Sequence, residues 1–407
     1  MQYVPVGKSE VAPEPNWGAI YSMSAIVAGL IVCELLPISL LTPIAKDLRV
    51  AEGVAGQAVS ATALSAMVAS ILSGPICRRF DRRLVLRAFG VFLVLSCLLA
   101  SFATKYEMFL AARIALGLGL GGFWSMAASV AMRLVPPASV PKALAFMYGG
   151  TSVAMLIAGP LGSYLGVSMG WRGVFSLALI ACVASLIWMW HAVPAIPPSS
   201  PARLSTTFQL LLLPQVRLGI LATVLFFCGH FVFFTYCRPY LEQVGHFDSA
   251  EVSLSLLGFG LANIVGTFLS ASMLRRNMKL TLGGVPLFMA LLTVGMAMFG
   301  TYPLVSASSM LGWGLLFGFV PVAWITWLTW EVPDQIESAG GLQIACTQLA
   351  ITSGSSVGGV LFDVGGIREV LAGSGIVLLL SALVVLLGLK SMSTTTSMRA
   401  VQSESSR

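Results

Sequence analysis

The sequence predicts an all-α membrane protein: twelve transmembrane helices arranged as two pseudo-symmetric six-helix bundles. Three observations predict this. Of the 407 residues, 57% are hydrophobic and only 10% are charged, against roughly 25% charged in an ordinary globular domain. Too little charge is available to cover a water-facing surface. Twelve apolar stretches each approach the ~20 residues that a bilayer core requires. A Pro/Ser-rich segment between His191 and Pro214 separates six of them from the other six, as a linker composition does.

The stretches begin near Trp17, Gly56, Leu84, Glu107, Lys142 and Gly173, then Val216, Ala250, Leu280, Pro303, Glu337 and Val370. The expected organisation is a tail over 1–16, a bundle over 17–192 and a linker over 193–215, then a second bundle over 216–390 and a tail over 391–407. The segment from Met1 to Asn16 is polar and holds three prolines. It is not followed by a short apolar run with a small-residue cleavage site, so no removable signal peptide is expected. Glycines are frequent inside the stretches, as from Ala115 to Gly122 and from Gly354 to Gly359. Glycine weakens a helix in water, whereas in lipid small residues let helix backbones approach closely. Two equal halves suit a parallel repeat about the membrane normal. The echo is faint: basic clusters follow the second and eighth stretches, and glycine-rich segments recur in the fifth and eleventh.

The formal charge of +7 comes without an aromatic-interleaved basic stripe, so nucleic acid is not an expected partner. The basic residues instead give orientation. Sixteen of the 23 Lys and Arg lie in one set of loops and the tails, among them Arg78, Arg79, Arg82, Arg83, Arg203, Arg275 and Arg276. The opposite loops carry six: Lys46, Arg49, Lys105, Arg172, Arg238 and Arg368. Both termini are therefore expected in the cytoplasm. The seven cysteines (Cys33, Cys77, Cys97, Cys182, Cys228, Cys237 and Cys346) show no CxxC or Cys/His spacing. They read as small apolar packing residues, with no metal site or disulfide framework. An intramembrane enzyme would need clustered His, Asp or Glu at one site; three scattered histidines and one deeply placed acid do not supply it.

That acid, Glu34, stands between Cys33 and Leu35 in a long apolar run. A charge at the bilayer centre costs about 2.5–3.5 kcal/mol on insertion scales, and a carboxyl removed from water holds its proton more tightly. One reading is a proton-coupling group facing a central cavity. The other is a carboxylate locked in a structural pair or reaching toward the outer surface. Arg113 in the fourth stretch is the natural counter-charge, followed by Gly117, Gly119, Gly121 and Gly122. An always-charged guanidinium in lipid needs a partner or water, and backbone carbonyls are the alternative to Glu34. The fifth stretch carries Gly159-Pro160-Leu161-Gly162, where proline removes a helix hydrogen bond and glycine permits tight packing. The short loop around Gly74, Asp81, Arg82 and Arg83 reads as a topology signal, as a clamp on helix ends, or both. Candidate substrate contacts are intramembrane polar and aromatic groups: Trp124, Ser125, His230, Thr235, Tyr236, Asn263, Gln343, Gln348 and Thr352. Rings and amides would suit a flat polar solute, and helix–helix bonding competes with that role at each position.

These segments resemble the major facilitator superfamily, specifically its proton-coupled drug and metabolite antiporters. The loop from Gly74 to Arg83 is similar to the family's G-x-x-x-D-R-x-G-R-R/K signature. Arg82 and Arg83 match its basic pair, Arg78 stands in place of its acid, and Asp81 in place of its second glycine. Arg113 with Gly117 resembles the signature of the fourth helix, and Gly159-Pro160 that of the fifth-helix antiporter element. Within the superfamily, Pro15 to Trp17, Ser39 to Leu48, Glu52 to Gln57, Gly121 to Trp124, Met132 to Pro137, Pro141 to Leu144 and Phe233 to Tyr236 resemble bacterial exporters of purine ribonucleosides. This likeness runs from Pro15 to about Lys390. The resemblance implies a monomeric bacterial inner-membrane antiporter that exports inosine and guanosine in exchange for protons, with no metal or organic cofactor. A sugar or broad drug exporter of the same superfamily is the alternative.

Overall fold

The structure is a computed structural model and describes residues 15–136, 139–197, 209–332 and 336–389. The first fourteen residues, the linker over 198–208 and the tail from Lys390 onward lie outside the described residues. Among the described residues these α-helices follow in order. They are α1 (Trp17–Ser39), α2 (Leu41–Leu48), α3 (Glu52–Arg79), α4 (Arg82–Ser101), α5 (Tyr106–Leu134) and α6 (Val140–Ala192). Then come α7 (Pro214–Phe234), α8 (Cys237–Gln243), α9 (Ser249–Arg276), α10 (Met278–Phe299), α11 (Pro303–Glu331), α12 (Ile336–Gly365) and α13 (Ile367–Leu383). No strand occurs among the described residues. Helices are what lipid demands of an unclosed chain, because every backbone N–H and C=O must find its partner within the segment.

Among the described residues, eleven helices are long and apolar enough to cross a membrane, and one runs for 40 residues, Val153–Ala192. Gly170 interrupts that run with φ +71°, a conformation that costs glycine nothing and other residues much. It divides α6 into arms over 140–169 and 171–192, which are the fifth and sixth of twelve spans. Asp47 fastens the break. It accepts from the Trp171 indole at 3.2 Å and pairs with Arg172 at 2.6 Å. Helix starts follow local chemistry. Asn16 caps α1 by accepting from the Ala19 N–H at 3.0 Å. Asp248 and Glu251 form a reciprocal capping box on α9, and Pro214 and Pro303 open α7 and α11 without forfeiting a needed donor.

Pairing inside the two sets of six helices follows one plan. The first span packs on the fifth as the seventh does on the eleventh, and the second on the fourth as the eighth on the tenth. The third packs against the fourth and sixth as the ninth does against the tenth and twelfth. The first and seventh spans are also both interrupted near their far ends, at Leu40 between α1 and α2 and at Thr235–Tyr236 between α7 and α8. The sequence reads each of these as one continuous stretch. Neither break carries a Gly or Pro at the turn itself, but Pro43 and Pro239 each stand three residues past it, in the first turn of the helix that follows, where proline is tolerated.

Two seams join the halves: α3 against α12, and the first arm of α6 against α9. At the end bearing the termini, Asn16 donates from its backbone to the Leu134 carbonyl at 2.9 Å and from its side chain to the Ala192 carbonyl at 3.3 Å. Those bonds stay within the first half. Among the described residues, every hydrogen bond that crosses between halves lies toward the opposite end.

Candidate functional site

Glu34 lies on α1 half-buried, and no described residue offers its carboxylate a hydrogen bond or ion pair. The ion pairs among described residues are Arg172–Asp47 and Arg238–Glu242. Arg113 on α5 is fully buried. Its guanidinium goes to the α1 backbone, donating to the Cys33 carbonyl at 2.6 Å and the Glu34 carbonyl at 3.2 Å. The cause is in the sequence. Pro37 lies within α1 and has no N–H, so the carbonyl four residues earlier, that of Cys33, loses its helical partner. Arg113 supplies the missing donor from a neighbouring helix. The glycines that follow Arg113 seat α5 closely on two other helices. A Cβ on Gly117 or Gly121 would strike Thr62 or Ala66 of α3, and one on Gly119 or Gly122 would strike Phe89 of α4.

The far end of the interface is stitched by polar groups. On the α3–α12 seam, Ser60 and Ser355 share a hydroxyl bond at 2.7 Å, and Ser356 donates to Ser60 at 2.9 Å. Gln57 donates to the Ser356 carbonyl at 3.3 Å, and the Gly53 N–H to Asp363 at 3.2 Å. Beyond them sits a charged cluster. Arg238 on α8 donates to the Ser39 carbonyl at the end of α1 and to Ser163 of α6 at 3.2 Å, and it pairs with Glu242 at 2.8 Å. Thr42 donates to Glu242 at 2.6 Å and Gln243 donates to Glu52 at 3.0 Å. The sequence reading missed this cluster, because Arg238 counts there only as one of six outer-loop charges. The available signal was two acids, Glu52 and Glu242, each at an apolar stretch's outer edge.

The antiporter element lies where three helices meet. A Cβ on Gly159 would sit 3.2 Å from Leu256 of α9, and one on Gly162 would strike Ser39 of α1. Pro160 stands between them inside α6. In the loop after the second span, Asp81 caps α4 by accepting from the Arg83 N–H at 2.7 Å, and it also accepts from the Ile196 N–H at 3.1 Å. Arg82 donates to Ser129 of α5 at 3.2 Å. This loop thus ties α4 to α5 and to the segment after α6, all within the first half. Helix α3 continues through Gly74, whose surroundings lie outside the described residues.

The candidate substrate contacts are dispersed. Trp124 is half-buried on α5, and Ser125 beside it donates to Ser73 of α3 at 2.6 Å. His230 is fully buried; its Nδ1 accepts from the Trp313 indole at 3.0 Å and its ring stacks on Phe317 at 4.0 Å. Tyr236 belongs to the interface, with its hydroxyl 3.2 Å from the Gly53 carbonyl. Asn263 reaches the Gly314 carbonyl of α11 at 3.5 Å. Thr235 and Thr352 donate to carbonyls of their own helical turns. Gln343 Oε1 and Gln348 Nε2 on α12 are buried without a partner among the described residues. A buried amide left unpaired costs about 1–3 kcal/mol, which a ligand atom would offset. Five residues separate the two, about 140° around the helix, so they do not share one face. A small apolar pocket lined by Phe226, Pro286 and Trp324 contains none of these candidates.

A family model described as Major Facilitator Superfamily matches residues 19–354. The chain is 45% identical over 371 residues to the purine ribonucleoside efflux pump NepI of Escherichia coli O6:H1, covering 91% of this chain and 94% of that one. It is 44% identical to proteins of the same name from Escherichia coli K12 and Shigella flexneri, over 93% of this chain and 95% of each. Among solved structures it resembles a D-xylose-proton symporter, with TM-score 0.75 and 18% identity, covering 92% of this chain and 98% of that one. A bacterial homologue of the lysosomal transporter Spinster gives TM-score 0.71 at 14% identity, covering 93% of this chain and 97% of that one.

Proposed function

The chain belongs to the major facilitator superfamily of membrane transporters and is not an enzyme, and from that premise we propose that it exports purine ribonucleosides from the cytoplasm in exchange for protons. The observation that carries the substrate is the 45% identity to a purine ribonucleoside efflux pump over nearly the full length of both chains. Inosine and guanosine are the expected cargo. Glu34 supports the coupling: an acid inside the first span without a described partner is free to exchange a proton with water in the pathway. Intramembrane acids are functional by default. Gln343 or Gln348, either of which has an unpaired buried amide atom, suits a polar edge of a purine, and Trp124 offers a ring to stack on.

On this reading both termini are cytoplasmic in a bacterial inner membrane, so the stitched end of the interface is periplasmic. The described state is then closed to the periplasm, the state that loads cargo from the cytoplasm. Protonation of Glu34 biases the balance between the two states, since a ligand shifts only an equilibrium whose states it binds differently. Both halves of the pathway belong to one chain, so a monomer is the transport unit. The test is inosine uptake into inverted membrane vesicles with an acidic interior. Gradient-driven uptake is expected in the wild type and its loss in Glu34→Gln, with equal protein in the membrane. Uptake unchanged in Glu34→Gln would remove Glu34 from the coupling. Absence of inosine uptake in the wild type would overturn the substrate and turn the search to sugars and drugs.

A further inference from the structure

A cluster of three thiols lies in the core of the first half. Cys33 of α1, Cys97 of α4 and Cys182 in the second arm of α6 place all three sulfurs within 4.8 Å of one another. The Cys33–Cys97 separation is 3.4 Å and the Cys97–Cys182 separation 3.9 Å. All three residues are 2% exposed or less. Gly29, one helical turn before Cys33, keeps Cys182 close: a Cβ there would come within 3.1 Å of its sulfur. An ion at about 2.3 Å from each of three sulfurs in a plane sets them about 4.0 Å apart, so the cluster needs only small shifts to enclose one. Sulfur ligands select soft metals over hard ones.

Charge narrows the class further. Each thiol must lose its proton to ligate: three S–H bonds break, the protons leave to solvent and three metal–sulfur bonds form. A divalent ion then leaves one net negative charge in the core. Arg113, fully buried and bonded to the Cys33 carbonyl, brings one positive charge to the same stretch of α1. We propose that Cys33, Cys97 and Cys182 form a buried three-thiolate site for a soft divalent cation of the zinc or cadmium class.

The probe is Cd(II) titrated into the purified, reduced full-length chain in detergent, read by the ultraviolet thiolate-to-cadmium absorbance. One ion per chain is expected in the wild type, with the band lost in Cys33→Ser, Cys97→Ser and Cys182→Ser. A variant with Cys77, Cys228, Cys237 and Cys346 all changed to serine retains only the three core thiols. It should bind one equivalent with an undiminished band and unfold at a higher temperature with Cd(II) than without. It carries the test alone if a core substitution fails to fold. No band in that variant, or an equal band in the three core substitutions, would overturn the site and leave the cysteines as packing residues.

Discussion

The two seams that join the halves are built from different chemistry. Between α3 and α12 the contacts are hydroxyls, an amide and a carboxylate: Ser60 with Ser355 and Ser356, Gln57 with the Ser356 carbonyl, Gly53 with Asp363. Between α6 and α9 they are glycines against leucines. Gly159 faces Leu256, and Gly260 lies so close to α6 that a Cβ would come within 3.1 Å of the Leu156 Cα. Among the described residues, only Ser163, donating to the Ser249 carbonyl at 3.3 Å, adds a hydrogen bond there. Each bond in the first seam can be exchanged for one to water, so separating its members costs little net free energy. A contact of backbone on backbone has no such exchange and depends on shape alone. The first seam is therefore suited to parting, and the second to remaining in contact while the halves tilt.

The largest test of this contrast is Gly260→Leu. Overpacking of a close contact costs about 1–3 kcal/mol, and here the added side chain presses on the Leu156 backbone as well as on its side chain. Inosine uptake in vesicles is expected to vanish while the chain still reaches the membrane. Near-normal uptake would show that the second seam also parts. Arg238→Met comes next. Hydrogen bonds to charged groups contribute about 1.5–3 kcal/mol each, so the state open at that end should gain at least about tenfold in population. Spin labels at positions 54 and 364, both exposed at that end, read this as a longer inter-label distance. Ser60→Ala with Ser355→Ala should act in the same direction but weakly. Intramembrane side-chain bonds average about 0.6 kcal/mol, a shift of about threefold. An effect larger than that of Arg238→Met would reverse the ranking of hydroxyl and guanidinium. Smallest is Asp47→Asn, which breaks a half-exposed ion pair inside the first half worth roughly 0–1 kcal/mol. The label distances should not move, because the bond does not cross between halves.

The twelve spans were legible because a long apolar run is a signal of length and composition that needs no partner. The breaks at Leu40 and Thr235 were not: Pro43 and Pro239 follow them in the first turn of the next helix, but proline is common inside membrane helices and does not announce a break by itself. The surroundings of Arg113 were half legible. Backbone carbonyls were one of two readings, and Pro37 is the residue that leaves the Cys33 carbonyl in want of a donor. Arg238 was read as a topology charge, because nothing local ties it to Ser39, 199 residues away. The cysteine cluster was invisible for the same reason. Its members stand 64 and 85 residues apart, where motif spacing has no reach.

The bond from Arg113 to the Cys33 carbonyl also bears on how the chain is made. α1 enters the bilayer first, with a carbonyl that its own backbone cannot satisfy beside an acid that lipid does not welcome. An unsatisfied backbone group in hydrocarbon costs several kcal/mol. The donor that relieves it sits on α5, which is synthesised some eighty residues later. Arg113 in turn cannot rest in lipid without an acceptor. Neither helix is at ease in the membrane alone. The first stable intermediate of assembly should therefore be the pair, held near the insertion machinery until the fourth span arrives.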